Sequence, residues 1–411
     1  MSRIVQKYGG TSVADTARFM KVARRVKNYH DQGHEVVVVV SAMGGVTDHL
    51  IRLANEVGGD SNDREMDMLL ATGEQQSVAL LAMALHGLGC PAISLTGAQA
   101  GIETDGVHCK ARIRNITPER IENYLNDGSV VIVAGFQGST QDNVITTLGR
   151  GGSDLTAVAL AAVLHADLCQ IYTDVEGVYT ADPRIVPEAR KISVISHDEM
   201  LELASLGTKV MQSRSVEFAK KFGVQLEVRS SLSDRDGTII TEETAAMEEV
   251  VIRGVSYDRN EAKLTLHNVA DEPGRAACLF GILAAASINV DMIIQNASEE
   301  GRADISCTVP QGELKIIRRQ LAARIVEEVG CDEIAYDEDV AKVSLVGIGM
   351  RSHSGVAAEM FAALAGEGIN IQMISTSEIK ISCVIAESAV ELAVRTLHRA
   401  FKLEQEPGNG A

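Results

Sequence analysis

The run Val130 to Phe136, VVIVAGF, is unbroken in its apolar character, rich in β-branched residues and too short for an ordinary helix. A run of that kind reads as a strand buried on both faces, the condition of a parallel sheet sandwiched between helices. Glu35 to Ser41 (EVVVVVS) repeats it. Ile4–Val5, Pro91 to Leu95, Asp167 to Thr173 and Gln225 to Ser230 read as further strands of the same sheet. The N-terminal half is therefore expected to be α/β. Ligands of open α/β sheets collect at the C-terminal ends of the strands, so the turns that follow these runs hold the candidate site.

The first turn is Lys7-Tyr8-Gly9-Gly10-Thr11-Ser12, ahead of an amphipathic helix that ends near His30. Ser12 with Asp15 has the spacing of a capping box. Glycines let a backbone approach a phosphate, and a lysine beside them reaches its oxygens. Alone the pattern is weak, and it is not a Walker A loop. The second turn, Ala42-Met43-Gly44-Gly45-Val46-Thr47-Asp48, is flanked by the hydroxyls of Ser41 and Thr47. Helices are expected over Leu50 to Val57 and Asn62 to Leu70, then Thr72-Gly73-Glu74 and an apolar helix to about His86. A carboxylate at Glu74 is explained equally well as a helix-start residue favoured by the dipole. The third turn, Gly149-Arg150-Gly151-Gly152-Ser153-Asp154, follows the strand Val144 to Leu148, with Ser153 or Asp154 as the cap of a helix Leu155 to His165. A helix N-terminus of this kind attracts anions, and Arg150 adds a planar fork for a carboxylate or phosphate. The polar loop Asp174 to Arg184 closes the set. Glycine turns before helices occur in any α/β protein. Here the charged and hydroxyl residues crowd onto consecutive loops of one sheet edge.

With 411 residues, two or three domains are expected. The balance of 56 acidic against 38 basic residues, a formal charge of −18, argues against nucleic acid or an anionic membrane as partner. The seven cysteines are scattered with no CxxC pair, which suits a reduced, cytoplasmic protein. Neither a signal peptide nor an apolar run of membrane-spanning length is expected.

Acidic residues from Glu242 to Glu249 read as a linker, and beyond it lies an internal repeat. Gly274 and Gly355, Phe280 and Phe361, Asn289 and Asn370 share one offset, 81 residues. Each copy reads strand, glycine turn, helix, strand, hairpin, strand, helix, a ferredoxin-like βαββαβ unit.

Taken together, Lys7 to Ser12, Val38 to Asp48 (VVVSAMGGVTD), Thr72-Gly73-Glu74, Gly149 to Asp154 (GRGGSD) and Thr173 to Arg184 resemble, in order, the motifs of the aspartokinase family. Tyr8 stands where that family usually has Phe. The tandem repeat resembles its two ACT regulatory domains, and the likeness covers nearly the whole chain, in the manner of the monofunctional class. The resemblance implies an αβα three-layer amino-acid kinase domain over residues 1–245, followed by two ferredoxin-like ACT domains. The first would occupy 262–337 and be inserted into the second, 250–261 with 338–405.

It also implies ATP-dependent phosphorylation of the L-aspartate side chain, the first step of lysine, threonine and methionine biosynthesis, with feedback inhibition by lysine and threonine. Mg²⁺ would arrive on the ATP phosphates, with no dedicated protein ligand. Lys7, Glu74 and Asp154 are the expected catalytic residues. Lys7, Tyr8, Gly9, Gly10, Ser41, Thr173, Asp174, Tyr179, Asp182, Pro183 and Arg184 are expected at the nucleotide. Thr47, Glu74, Arg150, Gly151, Gly152 and Ser153 are expected at aspartate. Effectors are expected at Asp271, Gly274, Asn289, Val290, Asp291 and Gln295 in the first repeat, and at Gly355, Val356, Asn370, Ile371 and Thr376 in the second. A homo-oligomer is expected, or pairing with a subunit made of the regulatory half alone, for which Met247 is a suitable start. Glutamate 5-kinase and acetylglutamate kinase share the fold without the paired repeat. A non-enzymatic amino-acid sensor would need degenerate kinase loops, and an NAD-dependent oxidoreductase would need GxGxxG.

Overall fold

The computed structural model describes residues 1–58, 62–205, 210–244, 250–297 and 301–405. Met247 and most of the expected linker, 245–249, lie outside them. The chain divides into two compact units. Met1–Tyr179, Lys191–Ser205 and the stretch through residue 244 make the first; Thr180–Arg190 joins the C-terminal part in the second.

The first unit is built on an eight-stranded sheet. Its strands are β1 (Arg3–Tyr8), β2 (Glu35–Val40), β3 (Ala92–Leu95), β6 (Val130–Ala134), β9 (Leu168–Thr173), β10 (Val194–Ser196), β11 (Leu226–Ser230) and β12 (Thr238–Thr241). Their order is β10-β12-β11-β9-β1-β2-β6-β3, parallel except where β11 meets β12. A smaller sheet holds β4 (Ile102–Thr104), β5 (Ile113–Ile116), β7 (Gln137–Ser139) and β8 (Ile145–Thr147). Alternate side chains explain the layers. Tyr8, Val36, Val38, Val40 and Ile132 pack with Phe19 and Val22 of α1 (Thr16–Asp31) and Val78 and Leu81 of α3 (Asp63–Gly87); α2 (Val46–Glu56) precedes α3 in the chain and α4 (Glu119–Asn126) follows it. Val5, Val37 and Val39, of the other parity, are equally buried, and α5 (Gly152–Val163) lies against their strands. The register pairs Tyr8 with both Val40 and Tyr172, and Val40 with Ala134, so the ends of β1, β2, β6 and β9 lie side by side.

Three expectations about helices are corrected. The two helices expected either side of Thr72-Gly73-Glu74 are one continuous α3, because Gly73 packs so closely on Ala42 that an added Cβ would lie 2.8 Å from the Ala42 Cβ. Glu74 is thus a mid-helix residue and not a helix-start carboxylate. The cap of α1 is Asp15, whose carboxylate accepts from the Arg18 amide at 2.8 Å, while Ser12 sits in a preceding 3₁₀ turn. Helix α5 begins at Gly152 with Gly151 as its cap at φ 73°, so Ser153 and Asp154 are free to project from its first turn. Moreover, α3 is long and apolar enough to cross a membrane by length and composition, contrary to expectation. Half of its most apolar stretch is buried inside the protein, and the helix carries the buried carboxylates Asp67 and Glu74, as suits a core helix.

The second unit is a six-stranded antiparallel sheet, order β14-β15-β13-β16-β18-β17. The strands are β13 (Gly254–Ala270), β14 (Ile293–Ala297), β15 (Arg302–Pro310), β16 (Glu333–Val346), β17 (Ile371–Thr376) and β18 (Lys380–Ala386). The helix Arg275–Ala285 and the helical stretch 314–330 cover the first repeat, around Leu264, Leu283 and Ile305. The helices Val356–Gly366 and Val390–Ala400 cover the second, around Val343, Leu364 and Leu397. Gly274 and Gly355 cap the first helix of each repeat at φ 103° and 100°. Strands β13 and β16 each run through both repeats. Gly254–Asp258 pair with Lys342–Val346 of the second, and Lys263–His267 pair with Glu333–Asp337 of the first. Of the expected β-run Val250 to Tyr257, the residues from Gly254 on lie in β13 and pair with β16.

Candidate active site

The glycine turns after β1 and β2 interlock because Gly10 has no side chain. A Cβ there would lie 2.8 Å from the Ala42 carbonyl, and the Gly44 amide donates to the Gly10 carbonyl at 3.1 Å. Together with the start of α5 and one face of α3 they enclose a cavity of about 410 Å³. Lys7, Gly10, Ser41, Thr47, Glu74, Arg150, Gly151, Gly152, Ser153 and Asp154, all candidate site residues of the sequence, are brought together in its lining.

Within the cavity Lys7 Nζ lies 2.6 Å from Asp154 Oδ1, with both side chains largely buried. Gly9 backs that ammonium, since a Cβ on it would stand 3.4 Å from Lys7 Nζ. Glu74 Oε1 accepts from the Ala42 amide at 3.0 Å, and its other oxygen is buried without a hydrogen-bond partner among the described residues. Burial pushes the Glu74 carboxyl up from 4.5 to about 7, against the opposing pull of the Ala42 amide. The Lys7 ammonium is thus held by Asp154 and not by Glu74. Arg150 is exposed and has no hydrogen bond or ion pair among the described residues, so its fork is available to a ligand.

Phe136 also lines the cavity and was not expected there. It follows β6 with φ 69°, a strained value for a bulky side chain, and its amide reaches Thr156 Oγ1 at 3.2 Å. The only sign in the sequence was its place at the end of a buried strand.

The residues expected at the nucleotide are scattered more widely. Tyr8 is fully buried in the core, its ring stacked 4.6 Å from Tyr172. Thr173 and Asp174 stand at the end of β9, beside β1, and hydrogen-bond to each other at 3.1 Å. Tyr179 reaches Glu176 at 3.5 Å. Asp182, Pro183 and Arg184 belong to the second unit. There Asp182 pairs with Arg184 at 2.7 Å and accepts from Tyr257 at 3.0 Å, and these bonds hold its carboxyl below the usual range.

In the second repeat a cavity of about 440 Å³ gathers Gly355, Val356 and Thr376 with Arg351, His353 and Glu378. Asn370 and Ile371 do not line it. The sequence reading missed Arg351 and Glu378, paired at 3.4 Å. In the first repeat Asp271 and Gly274 precede the helix Arg275–Ala285, Asn289 and Val290 follow it, and Gln295 lies on β14. Asp291 does not stand free: it pairs with the buried Lys342, which also binds Glu261 at 2.8 Å.

Fold and cavity define an amino-acid kinase with a tandem regulatory repeat. Residues 2–230 match the Amino acid kinase family, and residues 267–324 and 343–401 match the ACT domain. The aspartate kinase of Stutzerimonas stutzeri is 52% identical over 412 residues, covering 100% of both chains. The aspartokinase of Mycolicibacterium smegmatis is 50% identical, covering 98% of this chain and 97% of its own. A solved structure of E. coli aspartokinase III with aspartate and ADP superposes with a TM-score of 0.81 at 28% identity, covering 97% of this chain and 99% of that one. The chain belongs to the aspartokinases. It is an aspartate kinase, transferring a phosphoryl group from ATP to the side-chain carboxylate of L-aspartate.

Proposed function

We propose that the cavity beside Lys7 is where the two substrates meet, with roles divided between its walls. The convergence of Lys7, Glu74, Arg150, Ser153 and Asp154 on one cavity carries this reading. An ionised carboxylate needs no base to attack. The barrier comes from bringing two anions into line and covering charge on the transferring oxygens. Lys7 supplies that cover, and Asp154 holds its ammonium in place. Arg150 takes the α-carboxylate of aspartate, aided by Thr47 and Ser153, and Glu74 takes the α-ammonium. Binding that ammonium beside a carboxyl raised to about 7 stabilises its ionised form. MgATP lies along the adjoining strand ends, with Gly9, Gly10, Ser41, Thr173, Asp174 and Tyr179; Mg²⁺ comes on the phosphates.

The test is Arg150→Ala. A charge-assisted pair contributes about 1.5–3 kcal/mol, so the KM for aspartate should rise roughly 10- to 100-fold with the KM for ATP little changed. A collapse of ATP binding with aspartate unaffected would reverse the assignment.

We further propose that amino-acid effectors bind the regulatory repeats. A second solved E. coli aspartokinase III structure, with lysine and aspartate, is labelled a T-state and superposes with a TM-score of 0.77 at 28% identity. Lysine is the first expected effector here and threonine the second. The opposed charges of Arg351 and Glu378 beside the second-repeat cavity suit a zwitterion. In the first repeat an effector ammonium would share Asp291 with Lys342. Seven unpaired cysteines support a reducing, cytoplasmic setting. The outer edges of β14 and β17, unpaired among the described residues, support assembly through the regulatory half or with a subunit made of it. Sedimentation velocity with and without lysine tests it.

A further inference from the structure

Asp67 is one of the buried carboxylates the mechanism leaves unused, and it stands on the helix that carries Glu74. Asp67 lies seven residues before Glu74 on α3, hence on the same face of the helix. It is completely buried and not idle. Its Oδ1 accepts from the Cys109 amide at 3.1 Å and from Thr147 Oγ1, and its Oδ2 stands 2.6 Å from His108 Nδ1. Thr147 is the last residue of β8, three before Arg150. Cys109 sits at φ 61°, with its carbonyl 3.1 Å from where a Cβ on Gly149 would be. From the other side Arg214 spans the carbonyls of Leu148 and Ala111, each at 3.4 Å. The turn carrying Arg150 is therefore backed by a loop and a strand end that share one anchor. Arg150 has no side-chain partner of its own among the described residues, so the position of its backbone decides what the guanidinium can reach.

We propose that Asp67 is a positioning residue for aspartate binding: it fixes the Leu148–Gly151 turn so that Arg150 presents its fork to the substrate α-carboxylate. This rests on the reading of Arg150 given above. One face of α3 then serves both ends of the bound amino acid, Glu74 directly and Asp67 through Arg150. Replacing either Asp67 oxygen by an NH2 group sets a donor against the Cys109 amide, which lies 3.1 and 3.2 Å from the two oxygens, and the loop and turn relax away from that clash. A misplaced clamp weakens binding without touching the phosphoryl chemistry.

The experiment compares Asp67→Asn, Arg150→Ala and the double variant in an ATP-coupled assay with aspartate and ATP varied separately. Asp67→Asn should raise the aspartate KM about tenfold and leave the ATP KM and kcat within about twofold, a pattern that a general loss of stability would not produce. The double variant should match Arg150→Ala alone. Unchanged aspartate KM in folded Asp67→Asn, or additive effects in the double variant, overturns the proposal while the Arg150 reading survives. Unchanged aspartate KM in Arg150→Ala removes both. Should Asp67→Asn not fold, Thr147→Val reads the same link: a raised aspartate KM, restored by Thr147→Ser, supports it, and no change overturns it.

Discussion

Glu74→Gln should make the ligand-free protein more stable relative to wild type as the pH rises. In the folded chain burial holds the Glu74 carboxyl at about 7, against 4.5 when unconstrained. Between those values the folded state keeps a proton that the unfolded state has released. Stability therefore falls as pH rises, and the sign is opposite to that of a salt-bridged carboxylate. The penalty is absent below 4.5 and complete above about 7. At 1.36 kcal/mol per pKa unit it reaches about 3 kcal/mol, which in a unit of this size moves Tm on the order of 5–10 °C. Glutamine keeps the shape and an acceptor for the Ala42 amide but does not titrate. Calorimetry of both proteins from pH 5 to 8.5, without aspartate, should show the Tm difference shifting steadily towards the variant and levelling off above pH 7. Titrating aspartate into wild type near pH 7 in buffers of different ionisation enthalpy should reveal proton release, absent in the variant. Parallel Tm profiles would refute the account, because they would mean Glu74 is already ionised in the empty site.

Lys7→Ala should fold normally and lose roughly 10²- to 10³-fold in kcat, the usual cost of deleting a donor to transition-state charge; near-normal turnover would remove Lys7 from the mechanism. Gly73→Val should destabilise by about 1–3 kcal/mol through overpacking against Ala42, read as a lower urea midpoint, and an unchanged midpoint would show that α3 can move aside. Lys342→Met should cost about 3–5 kcal/mol, because it strands the buried Glu261, and stability equal to wild type would mean that Glu261 takes up a proton at little cost. Asp291→Ala should keep uninhibited activity and lose most of its response to lysine with threonine; full inhibition would move the effector site elsewhere.

Much of the candidate cavity was legible because its parts are local. A buried strand, a glycine turn and a helix start are all written within a dozen residues, and Lys7, Thr47, Arg150 and Ser153 each fall in such a stretch. Glu74 was named through the family resemblance, and the sequence misplaced it in the fold. Gly73 reads as a break, since glycine costs about 1 kcal/mol in a helix interior, yet here it permits the close packing that carries Glu74 to the Ala42 amide. Phe136 was hidden because a strand-end aromatic looks like core until its backbone turns left-handed. Lys342 with Asp291 and Glu261, and Asp67 with Thr147, are partners far apart in sequence, and no spacing rule joins them. Asp182 and Arg184 illustrate the reverse case: a contiguous motif whose last residues leave the kinase unit for the other.

The shared strands β13 and β16 have a consequence for how the chain is made. Gly254 leaves the ribosome about 90 residues before its partner Val346, which at usual elongation rates is a wait on the order of ten seconds. During that interval the first half of β13 offers bare amides and carbonyls to any neighbour, while closing so long a loop slows the pairing itself. Nascent chains on one message stand close together with the same strand exposed. Crossed pairing between them is thus the characteristic hazard of this regulatory half, and hydrogen exchange of the finished sheet should find no opening that frees one repeat and leaves the other closed.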